Sequence, residues 1–134
     1  MENLFPHPRR IVTGHDNDGK AIVVADSLIP CEPTKINCNF AVLYETHQFP
    51  EVNDQWIDPT RTRTPDLANQ KGVVLRVVDF PPRTKTMFHR TESLDFGILH
   101  AGEITWFVSP LGPSIIADPY ESSIATWTGT SALT

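Results

Sequence analysis

The segment 80–102 holds most of the side chains that could carry out chemistry. His89 supplies an imidazole, and Asp95 supplies a carboxylate six residues later. Side chains alternate along a strand, so a strand through this segment would place His89 and Thr91 on the same face. If that face points into a barrel, a short turn could bring Asp95 beside the imidazole. A histidine and a carboxylate facing one cavity are half of a metal site, or an acid–base pair.

The remaining histidines and cysteines are weaker candidates. His7 lies between two prolines and His47 beside a turn, so both are expected at the surface. Cys31 and Cys38 have no histidine within a few residues, which argues against a zinc site. Two cysteines do not make a disulfide framework, and a reducing, cytoplasmic location is expected.

Composition and charge exclude several classes of partner. The chain has 134 residues, enough for one domain, and its net charge is −5. No basic cluster stands apart from acidic residues, so neither nucleic acid nor a membrane is expected as a partner. No apolar run has the length of a membrane span, and the N-terminus lacks the apolar core of a signal peptide.

The pattern of short apolar runs predicts an all-β fold. Residues 10–13 and 21–24 are rich in β-branched side chains and flank Asp16–Gly19, whose Asp-Gly step favours a tight hairpin. Further short apolar runs bounded by turn residues predict strands at 40–46, 72–80, 84–89, 96–100 and 103–108. Such spacing is typical of a sandwich or a barrel.

The rest of the chain is less regular. Residues 49–70 contain three prolines and predict a long loop, with one short helical turn near 66–70. A strand could form at 114–117, but the Ser/Thr-rich end is weakly specified. We therefore expect an N-terminal arm at 1–9, a barrel domain at 10–109 and an irregular tail at 110–134.

The site segment resembles the first motif of the cupins. That motif runs Gly, five residues, His-x-His, three or four residues, Glu, six residues, Gly. Aligned with this chain, it places Arg83 at the first Gly, His89 and Thr91 at the two histidines, Asp95 at the Glu and Gly102 at the closing Gly. Every spacing of the motif is kept.

The flanking residues narrow the resemblance to one fungal group. Residues 76–82, 93–97, 9–15 and 19–21 look like short single-domain cupins of secondary-metabolite gene clusters, which are usually labelled oxidoreductases. This likeness covers about residues 8 to 108. It implies a cupin-type β-barrel, also called a double-stranded β-helix or jelly roll. It also implies a fungal oxidoreductase or related tailoring enzyme acting on a small polyketide-like molecule.

Three departures from the family pattern weaken the implied metal site. Arg83 replaces a glycine, so its turn is expected to avoid conformations that only glycine adopts cheaply. Thr91 replaces a histidine, and a neutral hydroxyl is a poor ligand for a divalent metal. No histidine follows His100, so the second motif is missing. The missing motif predicts a barrel that is incomplete at the C-terminus, either because the chain is truncated or altered in reading frame after Ser109 or because the protein is genuinely shortened.

Two functions remain open. In an enzyme, His89 and Asp95 would be metal ligands or catalytic groups, and Arg90 or Arg76 would orient an acidic or phenolic substrate. The metal would be iron, manganese, zinc or copper, weakly held or absent. In the alternative, the chain is a non-catalytic small-molecule-binding or dimerisation module derived from a cupin enzyme. An open sheet edge also predicts a homodimer, with the arm before Arg10 crossing to the partner.

Overall fold

The computed structural model describes residues 5–51, 55–62, 67–87, 89, 91–109, 112–117 and 123–131, with side chains described up to residue 106. These residues form strands and one 3-10 helix, so the fold is all-β, as predicted from the sequence. The strands are β1 (Arg9–His15), β2 (Ala21–Leu28), β3 (Glu32–Pro33), β4 (Asn39–Glu45), β5 (Val73–Phe80), β6 (Ser93–Ala101), β7 (Ile104–Ser109), β8 (Gly112–Ala117) and β9 (Ser123–Ser131).

The predicted N-terminal hairpin is confirmed. Strands β1 and β2 pair antiparallel around the turn at Asp16–Gly19. The carboxylate of Asp16 accepts hydrogen bonds from the amides of Asp18 and Lys20, each at 2.9 Å. Gly19 has a φ of 78°, a conformation that glycine adopts without a steric cost. The Asp-Gly step therefore specifies this turn locally.

The main sheet has five antiparallel strands in the order β3-β4-β5-β9-β6, and β7 and β8 form a separate hairpin. Strands β4, β5, β6 and β7 agree with the predicted segments at 40–46, 72–80, 96–100 and 103–108. Strand β5 lies in the middle of the sheet, and its residues from Arg76 to Phe80 are all buried. A strand that is buried on both faces reads as a continuous apolar run, which explains how clearly the sequence predicted it.

The two faces of the sheet contact different apolar clusters. On one face, Val78 and Phe80 pack with Cys38 and with Ile104 of β7. On the other face, Val77 packs with Cys31 and residues of β4. The two cysteines are both free, and they lie in clusters on opposite faces of the sheet.

The predicted strand at 84–89 is wrong. Residues 84, 86, 87 and 89 are irregular and Lys85 makes only an isolated bridge. Pro81 and Pro82 precede this segment, and proline cannot donate to a strand ladder. Arg83 has a φ of 63°, so the expectation that its turn would avoid left-handed conformations is also wrong. Gly102, the other motif glycine, has a φ of 79° between β6 and β7.

The long connection and the C-terminal segment differ in part from expectation. The described residues between 49 and 70 form a loop as predicted, but the helical turn in it is a 3-10 helix at Pro59–Thr62. Residues 67–70 are not helical, and Asp66 lies outside the described residues. Strand β8 contains the possible strand predicted at 114–117. Strand β9 lies in the Ser/Thr-rich end, where no strand was predicted, and it pairs with both β5 and β6. The division into arm, barrel and tail stays a prediction.

Candidate functional site

Arg76 is the central charged group on the face of the sheet that contacts β7. Arg76 is only 7% exposed. The residues that follow it on β5, Val77 to Phe80, are buried as well. Its guanidinium carbon lies 5.4 Å from the centre of the Phe40 ring, a cation–π geometry. Its Nη2 donates a hydrogen bond to the carbonyl of Leu67 in the long loop. The loop and the sheet together hold this cation in place.

Two carboxylates share the face of Arg76. Glu45 pairs with Val74 of β5, and Asp95 pairs with Gly129 of β9, which in turn pairs with Val74. Directly opposed residues of antiparallel strands project to the same face, so Glu45, Val74 and Asp95 form one row across the sheet. Arg76 is two residues further along β5 and therefore lies on this same face.

The electrostatic balance at Arg76 reflects this arrangement. Burial lowers the pKa of the Arg76 guanidinium, while the negative charges of Asp95 and Glu45 raise it. Asp95 is half-buried, and one of its oxygens accepts a hydrogen bond from Ser93 Oγ at 2.9 Å. The site therefore combines the buried, positively charged guanidinium of Arg76, a hydrogen-bond donor, with the negatively charged carboxylates of Asp95 and Glu45, which accept hydrogen bonds.

Glu45 is also paired with an imidazole at the edge of the long loop. Its Oε1 lies 3.1 Å from Nε2 of His47, and Glu45 is only 1% exposed. The same Nε2 lies 3.2 Å from the carbonyl oxygen of Pro59, while Nδ1 lies 3.5 Å from the Asn69 amide nitrogen. Carboxylate and carbonyl oxygens only accept and the amide nitrogen only donates, so these neighbours favour the tautomer protonated on Nε2.

Sequence reasoning identified only part of this site. It named Arg76 as a candidate for orienting an acidic or phenolic group, but it placed His47 in a surface turn. The pairing of His47 with Glu45 was missed. One signal was available: Glu45 is a charged residue at the end of an otherwise apolar run, and a buried charge is normally paired.

The structure separates the residues chosen from the motif. His89 is exposed and outside any strand, and its Nδ1 lies 3.1 Å from the carbonyl oxygen of Met87. Thr91 is also outside a strand, so the expectation that both side chains share a strand face is wrong. Asp95 lies on β6 near Arg76. Arg90 lies outside the described residues. The roles assigned to His89, Asp95 and Arg90 stay predictions.

The opposite face of the sheet carries a groove and a second ion pair. A groove of about 440 Å³ lies between β1 and β4–β5, and Leu75 and Tyr44 are among its lining residues. Leu75 projects away from the face of Arg76, so this groove is not part of the Arg76 site. Arg10, also in its lining, bonds to both oxygens of Asp58 at 3.1 and 2.6 Å. This arginine is committed to holding the long loop against β1.

His7 is half-buried, whereas the sequence predicted an exposed residue in the N-terminal arm. Its Nδ1 accepts a hydrogen bond from the amide of Cys31 at 3.2 Å, and the carbonyl of Pro8 accepts one from Ile29 at 2.9 Å. The described end of the arm is therefore held by its own chain.

The all-β fold, with its buried polar site on one sheet face, is that of a cupin-type barrel, and the relatives of the chain agree. The cupin-domain-containing oxidoreductase fogC of Aspergillus ruber is 31% identical over 97 residues, covering 69% of this chain and 48% of that protein. The cupin-domain-containing oxidoreductase virC of Hypocrea virens is 31% identical over 114 residues, covering 75% of this chain and 57% of that protein. The oryzines biosynthesis cluster protein J of Aspergillus oryzae is 30% identical over 110 residues, covering 77% of this chain and 62% of that protein.

The chain belongs to the cupin superfamily. Its relatives are fungal proteins of secondary-metabolite clusters, which is the general kind that the motif and its flanks predicted. The chain spans about half to three fifths of the length of the relatives named above. No family model matches the chain.

Cupins commonly bind metal ions, and the described residues do not fit such a centre. Within the described ranges, no group of three or more His, Cys, Asp or Glu side chains is arranged to hold a metal. His89 is exposed with one ring nitrogen at the Met87 carbonyl, whereas Asp95 is engaged with Ser93 near Arg76.

In the part of the chain that the structure describes, no helix is long and apolar enough to cross a membrane. The expected cytoplasmic location stays a prediction.

Proposed function

We propose that this chain binds a small polyketide-like molecule on the Arg76 face of its barrel and acts as a tailoring enzyme, of the oxidoreductase or a related class. The observation that carries the proposal is the row of Glu45 and Asp95 beside the buried guanidinium of Arg76. The names of the fungal relatives support the proposed class of function.

The chemistry of the site favours an oxygenated aromatic ligand. The guanidinium of Arg76 would donate hydrogen bonds to a carbonyl or carboxylate oxygen, since arginine has only donors. The carboxylate of Asp95 would accept a hydrogen bond from a neighbouring phenolic hydroxyl. The half-buried Phe40 ring lies on the same face beside Arg76, so an aromatic ring bearing both groups matches the site.

The binding step can be tested with a hydroxybenzoate such as 2,4-dihydroxybenzoate, titrated into the purified chain by calorimetry. Arg76→Met keeps an unbranched apolar stem while removing the donors. We expect it to weaken binding at least about tenfold, because a hydrogen bond to a charged group contributes about 1.5–3 kcal/mol. Arg9→Met is the matched control, since Arg9 is exposed and paired with Asp26 on the hairpin. Equal affinities of both variants and the parent would contradict the proposal.

The catalytic part needs a separate measurement of turnover. His89→Ala should lower turnover without changing stability if His89 acts on the substrate. Metal analysis and chelation of the purified protein would test the oxidoreductase class: absence of iron, manganese, zinc and copper, with activity unchanged by chelation, would exclude its metal-dependent form.

A second candidate function is a non-catalytic binding module derived from a cupin enzyme. Within the described ranges, no group of three or more His, Cys, Asp or Glu side chains is arranged to hold a metal ion, and this favours the binding module. In that case the hydroxybenzoate should bind equally well to the parent and to His89→Ala, and neither protein should convert any substrate of this class.

A further inference from the structure

The end of the long loop covers the guanidinium of Arg76. Arg76 is only 7% exposed, and its Nη2 donates a hydrogen bond to the carbonyl of Leu67. Leu67 itself is 52% exposed, so the group that it brings to Arg76 is the backbone carbonyl and not a buried side chain. A guanidinium this enclosed cannot reach the oxygen of a ligand unless part of its cover moves.

The loop is the part of this cover that moves at the lower cost. Phe40, whose ring lies 5.4 Å from the guanidinium carbon, belongs to β4 and is paired with Val78 of the central strand β5. Moving the backbone at Phe40 would break that pairing. Residues 67–71 lie outside any helix or strand, and we call them the strap. The strap can move without loss of a strand ladder.

Asn69 fastens the strap to the sheet. Its residue is 7% exposed, and its Nδ2 donates a hydrogen bond of 2.7 Å to the carbonyl of Thr46, the residue after β4. Its Oδ1 accepts a hydrogen bond of 2.9 Å from the amide of Lys71. One side chain thus joins the strap to the sheet and also orders the backbone of the strap.

Thr46 keeps its position without the bond from Asn69. The amide of Thr46 donates to the carbonyl of Val73, and its Oγ1 accepts from the amide of Val73, each at 2.9 Å. Glu45 is held in the same way by its pairing with Val74. Loss of the Asn69 bond would therefore free the strap while the end of β4 stays paired with β5.

We propose that Asn69 is a positioning residue that holds the strap closed over Arg76, and that a ligand binds after the strap has opened and released the Leu67 carbonyl. This inference rests on the proposed binding of an oxygenated aromatic molecule at Arg76. When only the open form binds, the apparent affinity equals the affinity of the open form multiplied by the fraction of molecules that are open. The strap thus regulates the affinity of the site through its own opening equilibrium.

The affinity test compares two neighbouring variants in the strap. Asn69→Ala removes the anchor, and the net contribution of one hydrogen bond corresponds to about a 2–10-fold change in an equilibrium constant. Calorimetry with 2,4-dihydroxybenzoate should therefore show binding about 2–10-fold tighter than that of the parent, and stopped-flow mixing should show the gain in the association rate. Gln70→Ala is the matched control, because Gln70 is exposed in the same strap, and its affinity should not change. An unchanged or weaker affinity of Asn69→Ala would overturn the proposal, since loss of a merely structural residue weakens binding.

Hydrogen exchange tests the strap in the absence of any ligand. Arg76→Met removes the bond to Leu67, so the strap should open more often, and the Nδ2 protons of Asn69 should exchange about 2–10-fold faster by NMR. The backbone amide of Thr46 should exchange at the rate of the parent, which checks that the sheet is intact. Equal exchange of the Asn69 protons in the two proteins would refute the strap. A parent that binds no hydroxybenzoate would instead contradict the proposed function, so the two failures are distinguishable.

Discussion

Asn39 and Asp79 lie directly opposite each other on β4 and β5, and both side chains are fully enclosed. None of their four polar side-chain atoms makes a hydrogen bond of normal geometry within the described part of the chain. Burial raises the pKa of Asp79, and the nearby Cys31 thiol and the charge of His7 offset this only in part. The native state thus holds a carboxyl group that resists ionisation.

We expect Asp79→Asn to stabilise the protein at pH 7. An acid with a raised pKa in the native state loses stability as pH rises above its unfolded value of about 3.9, since the unfolded chain ionises first. Asparagine removes that penalty, and its amide can donate to the Asn39 oxygen. A gain of about 1 kcal/mol or more in the free energy of unfolding is expected from urea titrations at pH 7, shrinking toward pH 4.

The matched control is Asp26→Asn. Asp26 is exposed, and hydrogen bonding to Arg9 lowers its pKa instead of raising it. Its replacement should not stabilise the protein at neutral pH. If Asp79→Asn were no more stable than the parent at pH 7, Asp79 would be ionised and solvated in the native state.

The ion pair of Arg10 and Asp58 should make stability fall in acid. Hydrogen bonding to the Arg10 guanidinium holds the pKa of Asp58 at about 2, despite the opposing effect of burial. A lowered native pKa gives stability that is complete above the unfolded value of about 3.9 and is lost as pH falls toward 2. Asp58→Ala should cost about 2 kcal/mol at pH 7 in urea titrations and much less near pH 2.

The exposed pair of Arg9 and Asp26 provides the comparison for that measurement. It has the same chemistry one residue away along β1, but both side chains are well exposed, at 62% and 44%. Exposed ion pairs contribute little, so Asp26→Ala should cost much less than Asp58→Ala. Equal losses of stability in the two variants would mean that burial does not strengthen the ion pair of Arg10 and Asp58.

Local signals explain what the sequence could predict about the fold. The Asp-Gly turn specifies the β1–β2 hairpin, and the apolar runs of β4 and β5 specify these two strands. Both signals depend only on residues that are neighbours in the sequence. The segment 84–89 offers two β-branched threonines and the apolar residues Met87 and Phe88, but the left-handed Arg83 and the prolines before it work against a regular strand. The conformation of Arg83 is not a preference of arginine, so composition alone could not reveal it.

The site was harder to predict because it is assembled from distant segments. Glu45 and Asp95 come into one row only through pairing with β5 and β9. Their register depends on contacts between residues far apart in sequence, which single-sequence patterns do not encode. The motif spacing correctly pointed to the cupin superfamily, yet it selected exposed His89 in preference to buried Arg76.

Cys31 should resist thiol reagents in the folded protein. Burial raises its pKa to about 11, with the charge of Asp79 as the next cause. At pH 8 a thiol with this pKa is about one part in a thousand thiolate, compared with about a quarter for an ordinary cysteine. Iodoacetamide labelling followed by peptide mass spectrometry should show slow modification of Cys31 until urea unfolds the chain. Labelling at the same rate in native and unfolded samples would contradict this assignment.

Gly72 should be irreplaceable at the start of β5. A Cβ atom on Gly72 would overlap the backbone carbonyl of Thr46, and Thr46 itself is fixed by hydrogen bonds of 2.9 Å to both the amide and the carbonyl of Val73. Neither backbone can move without breaking the pairing that holds Glu45 beside Val74, so the overlap cannot be relieved locally. Gly72→Ala should therefore lower the free energy of unfolding by about 3 kcal/mol or more.

Gly19→Ala separates this steric effect from the general cost of replacing glycine. Gly19 has a positive φ, but no atom lies within 4 Å of the position its Cβ would take. Its replacement should cost about 1–2 kcal/mol, the penalty of a left-handed conformation. Urea titrations of both variants measure the difference. Gly72 adjoins the row of Glu45 and Asp95, so Gly72→Ala should also lose affinity for the hydroxybenzoate, whereas Gly19→Ala should keep it. Equal affinities of the two variants would show that the β4–β5 register does not position the Arg76 site.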